Sequence, residues 1–138
     1  MRMNEANELL CKAIRTLLNN DLFKDVYVTT KNQKINNLLA KNKAVILLNI
    51  TPDSEKERYM DHSISLQNFK VKTYFIGNYN DRDYIVDIID KITEDLYQDV
   101  TDLDKDVVYT DFKLSYESVP DRNNIFYFCG IIKLEKND

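Results

Sequence analysis

The stretch DRDYIVDIIDKITEDLYQ, residues 81–98, is the clearest amphipathic helix in the chain. Asp81 is placed to cap it, and Asp83 puts negative charge in the first turn, where the helix dipole favours it. Tyr84, Ile85, Ile88, Ile89, Ile92 and Leu96 recur at helical spacing and form one broad apolar stripe. Asp87, Asp90, Glu94 and Asp95 fall on the remaining face. Burying one aliphatic side chain is worth roughly 1.5–3 kcal/mol, so this stripe can dock the helix even after its conformational entropy is subtracted. An Ile-rich stripe matches the flat side of a β-sheet, and strand-like segments lie on both sides of it.

After the helix, residues 99–106 (DVTDLDKD) read as an acidic loop. Strands are then expected at 107–119 and 125–134, joined by Pro120-Asp121-Arg122-Asn123-Asn124, a strong turn signal. The tail EKND reads as frayed. Before the helix, a long strand is expected at 62–76. Its alternation changes phase at Gln67-Asn68, which predicts a bulge or bend there, and Gly77-Asn78-Tyr79-Asn80 turns into the helix. Residues 51–61 (TPDSEKERYMD) are the most polar segment and read as an exposed charged loop, with Lys56, Arg58 and Tyr59 as its partner-contact candidates. AVILLNI at 44–50 has the continuous apolar character of a strand buried on both faces. Residues 31–43 allow at most one helical turn, and Val26-Tyr27-Val28 is a short strand. A first helix spans 4–19, capped by Asn4, with a stripe of Leu9, Leu10, Ala13, Ile14, Leu17 and Leu18. The order α-β-β-β-α-β-β with short connections gives an α+β two-layer sandwich. A mostly antiparallel sheet packs against two helices in a single domain over 1–138.

Composition narrows the function classes. With 138 residues and 43% hydrophobic side chains, one core is expected. Nine Tyr and six Phe without Trp suit a β-rich, aromatic interior. A net charge of −4 argues against a dedicated, specific nucleic-acid binder. No apolar run reaches the ~20 residues of a membrane span, and MRMNEANELL is too polar for a signal-peptide core, so a soluble intracellular protein is expected. Cys11 and Cys129 have no disulfide-framework or metal-ligand spacing and read as reduced, buried thiols. Phosphate-cradling glycine motifs are absent from the sequence.

No catalytic constellation stands out. His62 is the only histidine and has no evident partner to position it as a base. Asp87, Asp90 and Glu94 share a helix face, but hard cations need oxygens converging from a concave site and a helix face is convex. Lys91, four residues from both Asp87 and Asp95, offsets their repulsion. Ser54, Ser63, Ser65, Ser115 and Ser118 lack a nucleophile elbow, and Cys129 between Phe128 and Gly130 has no activating cation. No catalytic residue, metal ligand or cofactor is therefore expected.

The strings FKVKTYFIGNYNDRDYIVDIIDKITEDL and FKLSYESVPDRNNIFYFCGIIKL, within 69–134, look like a strand, turn and helix followed by a closing hairpin. In this order they resemble the tail terminator (tail completion, head–tail joining) proteins of long-tailed bacteriophages and related elements. The first helix agrees with that family in position only. The resemblance implies a structural protein that forms a ring, usually a hexamer, on the tail tube. Such a ring ends tube growth and contacts tail-tube and head–tail connector proteins. It would act in the host cytoplasm during assembly and then in the virion. The alternatives are a small metal-dependent enzyme using the acidic helix face, or an adaptor domain taking a peptide on a sheet edge.

Parity sorts the closing hairpin if it carries no bulge. Phe112, Leu114 and Tyr116 then share the helix-facing side with Phe126, Phe128, Ile132 and Leu134. Asp111, Lys113, Ser115 and Glu117 face outward beside Ile125, Tyr127, Cys129 and Ile131. That second set is too apolar for open water, so Ile125, Tyr127 and Ile131 are the candidate subunit interface, unless another segment of the same chain covers them.

Overall fold

A computed structural model describes residues 2–50, 56–58 and 65–137, and for 50, 56–58, 65 and 66 only the backbone. Along the chain come α1 (Met3–Leu17), β1 (Val26–Thr29), α2 (Ile35–Leu39), β2 (Ala44–Ile50) and β3 (Lys56–Arg58). They are followed by β4 (Ser65–Asn78), α3 (Arg82–Leu103), β5 (Val107–Glu117) and β6 (Ile125–Asn137). The sheet runs β1-β2-β4-β6-β5, with β3 added on β4. The α+β sandwich expected from the sequence is what forms.

Two features modify the strand plan. β1 and β2 are parallel, while the remaining pairs are antiparallel. A parallel pair needs a crossover of about a dozen residues, and the segment containing α2 supplies it. Lys56–Arg58, expected within a loop, pairs with Ser65–Gln67 as a strand in line with β2 on the same edge of β4. Backbone pairing needs no apolar side chain, and charged residues suit a short edge strand. The rest of the charged segment, Tyr59 included, and His62 lie outside the described residues.

One face of the sheet carries the core. Ile46 and Leu48 of β2, Val71 and Phe75 of β4, and Phe126, Phe128, Ile132 and Leu134 of β6 pack with Ile85, Ile88, Ile92 and Leu96 of α3. Leu10, Ile14 and Leu17 of α1 complete this layer. The sequence expected a break at Gln67-Asn68, but β4 keeps one register with β6 from Leu66↔Asn137 to Asn78↔Ile125. The polar Gln67 occupies a core-facing position at 1% exposure, so the hydropathy changes phase while the backbone does not.

Element ends also differ from the sequence reading. α1 starts at Met3 because the Glu5 carboxylate accepts from the Arg2 N–H, leaving Asn4 inside the first turn. Asp81 holds the cap position of α3 without a side-chain cap bond. A 3-10 turn, Tyr79–Asp81, precedes it instead, closed by Asn78 accepting from the Asn80 N–H. Residues 99–103 continue the helix because Val100 extends the buried stripe. The β5–β6 turn docks on this entry: the Tyr79 N–H donates to the carbonyl of Asn124, whose φ is 63°.

The tail, expected to fray, is held through Asn137. Glu135, Lys136 and Asn137 belong to β6, and Lys136 pairs with Asp104 just after α3. Burial pushes the Asp104 carboxyl up, but its bond to Lys136, the Asp106 N–H and the Lys136 charge together hold it below its ordinary value of 3.8. A carboxyl lowered in the folded state adds stability that is present above the unfolded pKa and lost as pH falls through the folded one. Lys136→Met should therefore cost about 1 kcal/mol at neutral pH. The gap between variant and wild-type melting temperatures should narrow below the 3.8 reference value. A gap independent of pH would show that the lysine contributes packing alone.

Candidate interaction face

The other side of the sheet is ordered by register. Across β2, β4, β6 and β5, one row reads Leu47, Tyr74, Cys129, Tyr116. The next reads Asn49, Lys72, Ile131, Lys113, and beyond it Lys70, Lys133 and Asp111 stand side by side. On the opposite flank, Tyr127 sits beside Ile76. Tyr127 contacts Tyr74 edge-on at 5.6 Å between ring centroids and Tyr116 at 6.0 Å. Together the three rings roof Cys129, which is 4% exposed.

Tyr127 and Ile131 thus do share the outward face, flanking Cys129, with both half-buried. Ile125 lies at the turn end of β6, where Asp121 accepts from its N–H. It is about 20 Å along the strand from Ile131. The backbone of Lys56 and Arg58 lies at the far end of β4, roughly 30 Å from the Tyr127 position by strand rise. The backbone of Lys56 and Arg58 is therefore a separate place from Tyr127 and Ile125.

Bulges change part of the expected hairpin. Register shifts fall between Val107 and Tyr109 and between Leu114 and Tyr116. The second sends Tyr116 outward, opposite Cys129, and brings Glu117 to the helix side, opposite Phe128. There the Glu117 carboxylate accepts two bonds from Arg82, at 2.8 and 2.9 Å, and the guanidinium lies 5.3 Å from the centre of the Phe128 ring. Leu114 keeps the helix-side parity yet is 48% exposed at the sheet edge. Parity reasoning missed Tyr116 for this reason. Tyr74 and Lys72 were readable from the alternation of β4.

The electrostatics of the face are simple. Lys72, Lys113 and Lys133 are exposed and make no ion pair among the described residues. Burial, followed by the neighbouring Cys129 and Tyr127, raises the Tyr74 phenol above its usual range. Hydrogen bonding to Tyr127, then burial, raises that of Tyr116. Both phenols stay neutral at physiological pH, so they do not offset the lysines. Two carboxylates share this margin of the face: Asp111, beside Lys133, accepts a hydrogen bond from the Tyr109 hydroxyl at 2.9 Å, and Glu135 follows Lys133 along β6.

Part of the sheet's outward side is closed by the chain itself. α2 packs against β2, and Val45 and Ile76 are buried although they lie outside the main core cluster. Among the described residues, none closes the Tyr74–Tyr116–Tyr127–Ile131 area in this way, and Tyr116 is 51% exposed.

On α3, Asp87, Asp90 and Glu94 are exposed, and Lys91 pairs with Asp95. No group of three or more potential metal-ligating side chains converges among the described residues. No helix there is long and apolar enough to cross a membrane. A scan against protein-family models and a search of curated proteins find no match.

Proposed function

We propose that this chain is a structural subunit of a ring, of the kind the bacteriophage tail terminator resemblance implies. Such a ring ends tail-tube growth and joins tail to head. The observation that carries the reading is the outward sheet face, where Tyr116, Tyr127 and Ile131 remain partly open to water around a buried cysteine. Aromatic rings on a flat, rigid sheet are effective interface anchors, because they bury much area with few rotatable bonds. A closed ring covers such a face on every copy. The reading assigns the protein no catalysis, metal or cofactor. Its partners are further copies of itself, then tail-tube and connector proteins, met in the host cytoplasm and kept in the virion.

The sheet edge offers a second reading. Exposed Val108, Tyr109 and Leu114 on β5 would suit an added peptide strand. The two bulges in β5 weigh against it, because bulges interrupt the regular ladder such a peptide needs. Light scattering on gel-filtered protein, with negative-stain images of the eluted particles, tests the ring reading. Uniform rings with a central opening are expected, and a single-chain mass at all concentrations would contradict it.

A further inference from the structure

Among the described residues, α3 is strongly acidic, while the outward sheet face carries more lysines than carboxylates. α3 holds seven carboxylates against two basic side chains, in a protein whose whole net charge is only −4. Ile85, Ile88, Ile92 and Leu96 point into the core. By helical spacing, Asp83, Asp87, Asp90 and Glu94 therefore line the ridge directly opposite, and all four are exposed. None of these four makes an ion pair among the described residues. On the far side of the molecule stand Lys72, Lys113 and Lys133, beside the tyrosines.

We infer that the outward sheet face docks on the α3 ridge of a second copy of this chain, head to tail. The dimensions agree. Asp83 to Glu94 spans about 16 Å of helix, while Lys72 and Lys113, two strands apart, are about 10 Å across, with Lys133 one row further, about 7 Å along. Because donor and acceptor surfaces lie on opposite sides of one subunit, each copy can use both. That is the heterologous contact from which closed rings or open filaments are built. Tyr74, Tyr127 and Ile131 supply the apolar contact area. The charges set orientation and exclude face-to-face pairing of two lysine surfaces. This rests on the ring reading and names the surface that meets the sheet face.

Charge exchange tests it. Lys72→Glu with Lys113→Glu makes both faces acidic, and Asp87→Lys, Asp90→Lys and Glu94→Lys together make both basic. All five positions are exposed, so circular dichroism should match wild type. Each of these two variants alone is expected to elute at single-chain mass. An equimolar mixture should recover the assembled mass, since every acidic face then finds a basic one. Moving wild type from low salt to about 1 M, where screening acts within about 3 Å, should shift it towards single chains. Should a reversal variant lose its fold, Lys72→Gln with Lys113→Gln and Asp87→Asn with Asp90→Asn replace it, and each is expected to weaken assembly at least tenfold. Wild-type mass in the folded variants, or a mixture that stays monomeric, overturns the head-to-tail contact and leaves the ring reading standing. Wild type that never assembles overturns both.

Discussion

Phe75→Ala should lower the unfolding free energy by about 3–5 kcal/mol, the range for truncating a buried aromatic residue. Phe75 is 0% exposed on the central strand β4, opposite Phe128, with its ring edge-on to Phe112 at 5.4 Å. Strands lie on both sides of it and helices cover it, so no mobile segment is available to fill the cavity. Domains of this size hold a margin of about 5–15 kcal/mol, which makes this one truncation a large share of the total. Urea titration followed by circular dichroism reads the loss as a lower midpoint, with a melting temperature lower by about 10 °C or more. A loss below about 1 kcal/mol would mean that the β4 core layer is not packed as described.

Gly130→Ala is expected to be nearly as damaging, although it adds a single methyl group. A β-carbon at 130 would lie 2.3 Å from Cζ and 2.4 Å from Cε1 of Phe112, and 2.8 Å from the Lys113 carbonyl oxygen. The Phe112 ring lies across the glycine in place of a side chain. It cannot swing freely because its other contact is Phe75. Overpacking of a filled core costs about 1–3 kcal/mol, and the upper half of that range is expected here. In a Phe112→Leu background the same Gly130→Ala change should cost less, because the main clash is gone; the residual is set by the Lys113 backbone. Equal costs in both backgrounds would show that the ring is not the obstacle.

The same glycine shows where sequence reasoning stops. The stripe of α3 was legible because six apolar residues at helical spacing have one physical solution, and the sheet followed from strand patterns on either side. The extension through 103 was signalled by Val100, in step with Leu96, but the surrounding aspartates masked it. They lie on the solvent side, where Gln98 and Asp102 bond to each other. Register was less accessible. The bulge between Leu114 and Tyr116 belongs with the Phe112 ring lying over Gly130 and with the Arg82 pair to Glu117. Those contacts join residues up to 35 positions apart, and alternation within one strand cannot see them. Tyr127 and Ile131 were therefore placed correctly on the outward face, while Tyr116 was assigned to the wrong side. The lysine surface was readable residue by residue, but its meaning came only when β4, β6 and β5 were set side by side.

The most direct measurement is the mass, by light scattering, of wild type and of Tyr127→Asp with Ile131→Asp. Both substituted positions are half-buried on the outward face, away from the helix-side core. Wild type should elute as a defined multiple of one chain. The double variant should elute as a single chain with an unchanged circular dichroism spectrum. A double variant that is folded and still assembled, or a wild type that is monomeric throughout, would contradict the assignment of this face as the subunit interface.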